Sequence, residues 1–318
     1  MSAEPRLNSF LALGPHGFHR VAYTEWGDPA GQHIVVCVHG LTRNSRDFDE
    51  LAEYLAVRGC RVVCMDVVGR GDSDWFEHKG DYGFAQYLSD AAALLARVTA
   101  APHRISLLRR LQGASVGQRI DWVGTSMGGL IGMMLAARSG SPIRRLVLND
   151  VGPLISWSAL VRLKLASTGA GARFASLKDV EEHLREACAS FGPLKDEQWR
   201  RLAAHGSRLG KDGAYRLAYD PAIMTARSGS NAGVEFGSDF MFGIDLWQTW
   251  DAIECPTLVL RGAESELLPE STARRMQERG PRVKLAQFTG IGHAPWLMSI
   301  DQIEMVADFI LAAERRTA

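Results

Sequence analysis

Ser126 is the side chain in this sequence best set up to act as a nucleophile. It stands in Gly124-Thr125-Ser126-Met127-Gly128-Gly129, a G-x-S-x-G string that permits a tight strand-to-helix turn with the serine at its tip. The string alone decides little, because Gly113-Ala114-Ser115-Val116-Gly117 has the same pattern. Context separates the two. Ser126 follows Ile120–Gly124 (IDWVG), which reads as a buried strand, and precedes GLIGMMLAAR, an apolar helix rich in small residues. Ser115 follows LLRRLQ and is succeeded by Gln118-Arg119, which is neither strand nor helix start.

A serine hydroxyl attacks poorly unless a base takes its proton, so a histidine is required. Of nine histidines, His293 lies in Thr289-Gly290-Ile291-Gly292-His293-Ala294-Pro295, just past the last strand, on a glycine-rich loop. There a side chain can project over the carboxyl edge of a parallel sheet. His39 ends a strand at the same edge; followed by Gly40-Leu41, it reads as a residue lining the site beside an anion-binding amide. The other seven lack such settings and read as surface residues. A carboxylate must then hold the imidazole tautomer. Two strand ends offer one: Asp150, which closes Arg145–Asn149, and the turn after Thr257–Arg261, which carries Glu264 and Glu266.

The elements that must position these groups are legible as apolar runs alternating with helical segments, the mark of an α/β fold with a largely parallel sheet. Inner strands are expected at His33–His39, Arg61–Val67, Arg119–Val123, Arg145–Asn149, Thr257–Arg261 and Val283–Phe288. Arg20–Trp26 alternates, as a half-exposed antiparallel strand near one edge does. Helices fit at Asp47–Val57, Phe84–Val98, Met127–Arg138, Glu270–Gln277 and Gln302–Arg315. Residues 102–117 are longer than a helix-to-strand connection requires and read as a surface excursion. From Val151 to about Trp250 the alternation stops, while Lys178–Phe191 and a segment opening at Asp196 carry helical stripes. The expected organisation is a core of residues 1–150 and 251–318 interrupted by a helical cap at 151–250.

With 318 residues, one large or two modest domains fit. Lys plus Arg and Asp plus Glu each number 36, so no net field draws the chain to nucleic acid or a membrane surface. At 46% hydrophobic and 23% charged residues, the chain can bury a sizeable core. No apolar run reaches the roughly 18 residues of a membrane span, and the first residues make a poor secretory signal. The five cysteines, Cys37, Cys60, Cys64, Cys188 and Cys255, have no metal-site spacing and read as free thiols of a reducing compartment, hence a cytoplasmic protein. Trp157 and Trp296 are candidates for the wall of a substrate pocket, with core packing as the alternative. Gly69-x-Gly71 lacks the lysine or third glycine of a phosphate loop and reads as a turn.

The His39-Gly40 pair, the D-x-x-G-x-G-x-S stretch from Asp66 to Ser73, the G-x-S-x-G-G turn and the G-H-A-P loop, in this order, resemble the α/β-hydrolase superfamily, its capped serine-esterase branch. The resemblance covers essentially all of the chain outside the cap. It implies an oxyanion hole from the amides of Leu41 and Met127. Members usually carry the acid in a G-x-x-D turn after the penultimate strand, where this chain has Ser265; some place it one strand earlier, and Asn149-Asp150-Val151-Gly152-Pro153 fits that variant, favouring Asp150 over Glu266 and Glu264. The implied activity is cofactor-free, metal-free cleavage of small carboxylic esters through an acyl-enzyme on Ser126. Lactone, thioester or carbon–carbon bond hydrolysis by the same triad, or a non-catalytic binding protein on the same scaffold, are the alternatives. Branches of the superfamily that use an aspartate nucleophile are disfavoured, because Ser126 occupies that position.

Overall fold

Strand β3 (His33–Val38) is buried at every residue, and its side chains divide between two apolar layers. Ile34, Val36 and Val38 face one, while Val35 and Cys37 face the other, as the two-residue period of a strand dictates. A strand with two apolar faces needs cover on both sides, which explains why the sequence alternates strands with amphipathic helices. The structure, a computed structural model, describes residues 4–100, 118–156, 158–159, 169–224 and 243–313.

The other sheet strands are β1 (Arg6–Gly14), β2 (Gly17–Trp26), β4 (Arg61–Met65), β5 (Arg119–Thr125), β6 (Ile143–Asn149), β11 (Thr257–Gly262) and β12 (Val283–Phe288). They form one eight-stranded sheet in the order β1-β2-β4-β3-β5-β6-β11-β12. The pairings β1–β2 and β2–β4 are antiparallel; the rest are parallel. Helices α1 (Asp49–Val57) and α8 (Ile300–Leu311) pack through Leu51, Leu55, Val306 and Ile310 on one face. Helices α2 (Phe84–Thr99), α3 (Met127–Ala136) and α7 (Glu270–Glu278) pack through Leu94, Ile131 and Met276 on the other. This is the α/β-hydrolase architecture expected from the motifs.

Strand β1 was not expected. Ala12 and Phe10 face the core while Leu7, Leu11 and Leu13 are exposed, so both faces carry apolar residues and the alternation that marks a half-buried strand is absent. Residues 102–117, Ser115 among them, lie outside the described residues.

Between β6 and β11 the described chain leaves the sheet. It holds α4 (Leu177–Ala187), α5 (Asp196–His205) and a short α6 (Trp247–Asp251). It also holds two pairs of three-residue strands, β7 (Leu154–Ser156) with β10 (Gly243–Asp245) and β8 (Ser207–Leu209) with β9 (Tyr215–Leu217). Three residues give no readable period, so these strands escape a reading by hydrophobic pattern. Helices α4 and α5 share a third apolar cluster, built on Val180, Leu184, Trp199 and Leu202, which also takes in Trp296 and Met298 from beyond β12. The segment after β12 thus runs directly beneath these helices.

Candidate active site

Ser126 joins β5 to α3 in a conformation that ordinary residues avoid, with φ 52° and ψ −114°. Such backbone strain costs of order 1–3 kcal/mol and persists only where the surroundings enforce it. Here a Cβ at Gly124 would collide with the Gly128 backbone, and one at Gly128 would collide with the carbonyl of Val38 in β3. The two glycines of the string are therefore what lets the turn close against the sheet. The Ser126 N–H donates to the Asn149 carbonyl of β6 (3.0 Å), and the Trp122 indole donates to Gly128 O (3.0 Å).

His293 comes from the loop after β12 and stands between two partners. Its Nε2 is 3.0 Å from Ser126 Oγ, and its Nδ1 is 2.7 Å from Asp150 Oδ2. Asp150 follows β6, is wholly buried, and is held at φ 57° by its N–H bond to Leu260 O (2.8 Å). Its Oδ1 accepts from Gly262 N–H (2.9 Å), and its Oδ2 accepts from Ser265 Oγ–H (2.5 Å) as well as from the imidazole. A group that accepts on every side fixes the proton on His293 Nδ1 and leaves the Nε2 lone pair facing Ser126 Oγ.

Glu264 and Glu266 are exposed at the rim of the cavity and are not among the hydrogen-bond partners of His293. Between them Ser265 turns inward. The position where look-alikes carry an acid thus carries a hydroxyl that donates to the acid from the neighbouring strand end, while its own oxygen accepts from Leu268 N–H (3.1 Å). Reading by residue type alone misses Ser265, because serine is no acid; its place in the G-x-x-D turn marked the position but not the hydrogen bond to Asp150. A hydrogen bond to a charged group contributes about 1.5–3 kcal/mol. Ser265→Ala is therefore expected to lower kcat by about tenfold or more with KM little changed, measured by steady-state ester hydrolysis.

Gly40 sits directly against Ser126, with its Cβ position 3.7 Å from Ser126 Cβ, and Leu41 follows it into the cavity wall. Met127, first residue of α3, brings an N–H that has no acceptor inside the helix. His39 is fully buried. Its Nδ1–H donates to Gly40 O (2.7 Å) and its Nε2 accepts from Val67 N–H (3.0 Å). Burial pushes this imidazole down to about 3, so it stays neutral. With both nitrogens engaged by backbone, His39 lines the cavity and pins the turn before Leu41, and neither ring nitrogen is left for a ligand. The Gly69–Ser73 stretch is likewise a turn and not a phosphate cradle. The Asp66 carboxylate fills it, accepting from Ser45 N–H (2.7 Å) and Asp72 N–H (2.8 Å), and Ser73 Oγ donates to Asp66 O (2.6 Å).

Ser126 and His293 open into a cavity of about 380 Å³, within the range of small-molecule sites. Its far wall comes from α4 and the turn behind it, through Leu184, Ala187, Cys188 and Phe191. Trp296 lines it as well, packed 5.0 Å from the Phe191 ring and 5.7 Å from Trp199. Trp296 is thus a cavity wall and a core residue at once, while Trp157 lies outside the described residues. Arg43 also reaches the wall, its guanidinium paired with Asp47 (2.6 and 2.9 Å) and lying over the Trp296 ring. Among the described residues no three His, Cys, Asp or Glu side chains cluster as metal ligands, and no helix is long and apolar enough to cross a membrane.

Comparison with known proteins agrees with this architecture. A 3-hydroxybutyrate-oligomer hydrolase of Cupriavidus necator is 40% identical over 317 residues, covering 98% of this chain and 100% of the relative. An esterase of Mycobacterium tuberculosis is 28% identical over 266 residues, 81% of this chain and 75% of its own. Among solved structures, an alpha/beta hydrolase from Novosphingobium aromaticivorans superposes with a TM-score of 0.77 at 33% identity, covering 98% of this chain and 99% of that one. The model of the alpha/beta hydrolase fold matches residues 33–297, and the chain belongs to that family.

Proposed function

We propose that this protein is a serine hydrolase of small carboxylic esters, and that oligoesters of short hydroxy acids are its substrate class. The observation that carries the proposal is His293 bridging Ser126 Oγ and Asp150 Oδ2 at the wall of the cavity. Ser126 Oγ attacks the ester carbonyl carbon as His293 Nε2 takes its proton. The carbonyl electron pair moves to oxygen, and the oxyanion accepts from the amides of Leu41 and Met127. When the tetrahedral centre collapses, the bond to the alcohol oxygen breaks, and His293 returns its proton to the leaving alkoxide. Water then attacks the acyl-Ser126 ester, giving its proton to His293. A second collapse releases the acid and restores Ser126 with that proton.

Asp150 stabilises the imidazolium formed in each half-reaction without itself becoming protonated. In this reading the helical segment between β6 and β11 acts as a cap that roofs the cavity and limits acyl length. The substrate class rests on the near full-length Cupriavidus relative, named for 3-hydroxybutyrate oligomers, and on a cavity suited in size to a short chain. No step calls on a metal or cofactor. Four buried cysteines and a partly buried fifth, all free thiols, support a reducing compartment such as the cytoplasm.

The test is a rate survey over p-nitrophenyl esters of graded acyl length together with the linear 3-hydroxybutyrate dimer, a lactone and a thioester. The expected result is turnover of the dimer and of short esters, with kcat/KM falling by about tenfold or more for long acyl chains that overfill the cavity. Thioester or lactone turnover far above that of any ester would move the reading to those alternatives, and absence of turnover on all of them would favour a binding protein.

A further inference from the structure

Arg70, in the turn between β4 and α2, is fully buried and has no carboxylate partner among the described residues. Its Nε–H donates to Leu41 O (2.9 Å), its Nη1–H to Val68 O (2.8 Å) and its Nη2–H to the thioether Sδ of Met127 (3.7 Å). The guanidinium lies over the Tyr87 ring, 4.8 Å from its centre. Taking a charge out of water without an opposite charge is strongly unfavourable, so an isolated internal arginine calls for a reason. Its contacts supply one. The two residues it touches by side-chain hydrogen bonds on the site side, Leu41 and Met127, are the two whose amides form the oxyanion hole in the mechanism proposed above.

The backbone holds Arg70 there from both directions. Gly69 and Gly71, with φ of 85° and 50°, flank it in a turn whose inner space the Asp66 carboxylate fills. Gly71 N–H donates to Ala218 O and Asp220 N–H donates to Gly69 O, both at 2.8 Å, so Arg70 pairs as a bridge with Tyr219 of the segment over the cavity. Arg70 is therefore tied through the backbone to the segment that carries Tyr219, itself a residue of the cavity wall.

We infer that Arg70 is a positioning residue for the oxyanion hole: it fixes Leu41 and Met127 and supplies an uncompensated positive charge behind the amides, where the negative charge of the transition state develops. The inference rests on the esterase reading above. An interaction of this kind acts on the tetrahedral state more than on bound ester, so its loss belongs in kcat and not in KM.

The test compares wild type, R70M and R70K with p-nitrophenyl butyrate and with a trifluoromethyl ketone, whose adduct on Ser126 carries an oxyanion. R70M is expected to lower kcat by about a hundredfold with KM within about threefold, and to weaken the ketone by the same factor as kcat/KM. R70K, which keeps the charge but not the fork, is expected to recover part of both. Circular dichroism and thermal melting establish that each variant is folded, and if R70M does not fold, R70K carries the test through the same parallel loss of kcat and ketone affinity. Wild-type kcat in a folded R70M, or a fall in kcat with ketone affinity untouched, would overturn the assignment while leaving Ser126-dependent turnover intact. Turnover that survives Ser126→Ala would instead overturn the esterase reading, and the role of Arg70 with it.

Discussion

Ser126→Ala is expected to reduce kcat/KM for esters by about a millionfold, the scale seen when the nucleophile of a complete serine triad is removed. The residual rate would come from the amides of Leu41 and Met127 and from binding alone. The fold should survive, because alanine fits wherever serine does and the turn is closed by Gly124 and Gly128. Ser126→Gly separates chemistry from strain. Glycine accepts φ 52° and ψ −114° without the clash a Cβ suffers, so this equally inactive variant is expected to be more stable than wild type by about 1 kcal/mol or more. Thermal or urea unfolding of the two variants beside ester assays checks both halves. A Ser126→Gly protein no more stable than the alanine variant would mean that the bend carries little strain.

The second large effect belongs to Asp150. Asp150→Asn is expected to lower kcat by about ten thousandfold, since an amide NH₂ turned toward His293 would favour the tautomer whose Nε2 already holds a proton. That proton blocks removal of the one on Ser126. Glu264→Gln and Glu266→Gln, at the exposed rim, are expected to stay within about threefold of wild type, a change typical of surface charges. Steady-state kinetics on the three variants decides the matter. A collapse of kcat in either glutamate variant, with Asp150→Asn active, would assign the imidazole to a different acid.

The site is spread over the chain, and its parts were not equally readable. Ser126 could be singled out from Ser115 because the strand before it and the small-residue helix after it obey different periods. His293 could be found because a glycine-rich loop after a final strand is a rare setting for a histidine. Asp150 could not be chosen by residue type alone. The resemblance favoured it over Glu266 and Glu264, and the structure sets Asp150 2.7 Å from His293 and leaves both glutamates at the surface. The roles of Ser265 and Arg70 were beyond reach for a physical reason, although the G-x-x-D turn had marked the position of Ser265. Each matters through contacts across large separations, 115 residues from Ser265 to Asp150 and 57 from Arg70 to Met127, and neither belongs to a residue type that announces such a role.

The same division holds for the fold. Strands buried on both faces, such as His33–Val38, stand out as unbroken apolar runs, so the inner strands and their largely parallel character were accessible. Strand β1 did not stand out, since Leu7, Leu11 and Leu13 face solvent, and the short pairs β7–β10 and β8–β9 are stabilised by neighbours and not by any pattern of their own. Trp296 shows the limit from the other side. An aromatic after a catalytic loop suggests a pocket wall, yet its packing with Trp199 and Leu184 also makes it part of the apolar cluster between α4 and α5.

The reach of His293 to the Ser126 hydroxyl is tested most directly by treating the protein with a fluorophosphonate and mapping the adduct by peptide mass spectrometry. The expected result is one phosphonyl group, on Ser126, forming rapidly in wild type, slowly in His293→Ala and not at all in Ser126→Ala. A wild-type protein that stays unlabelled, or an adduct on Ser115 or any other residue, would contradict the account.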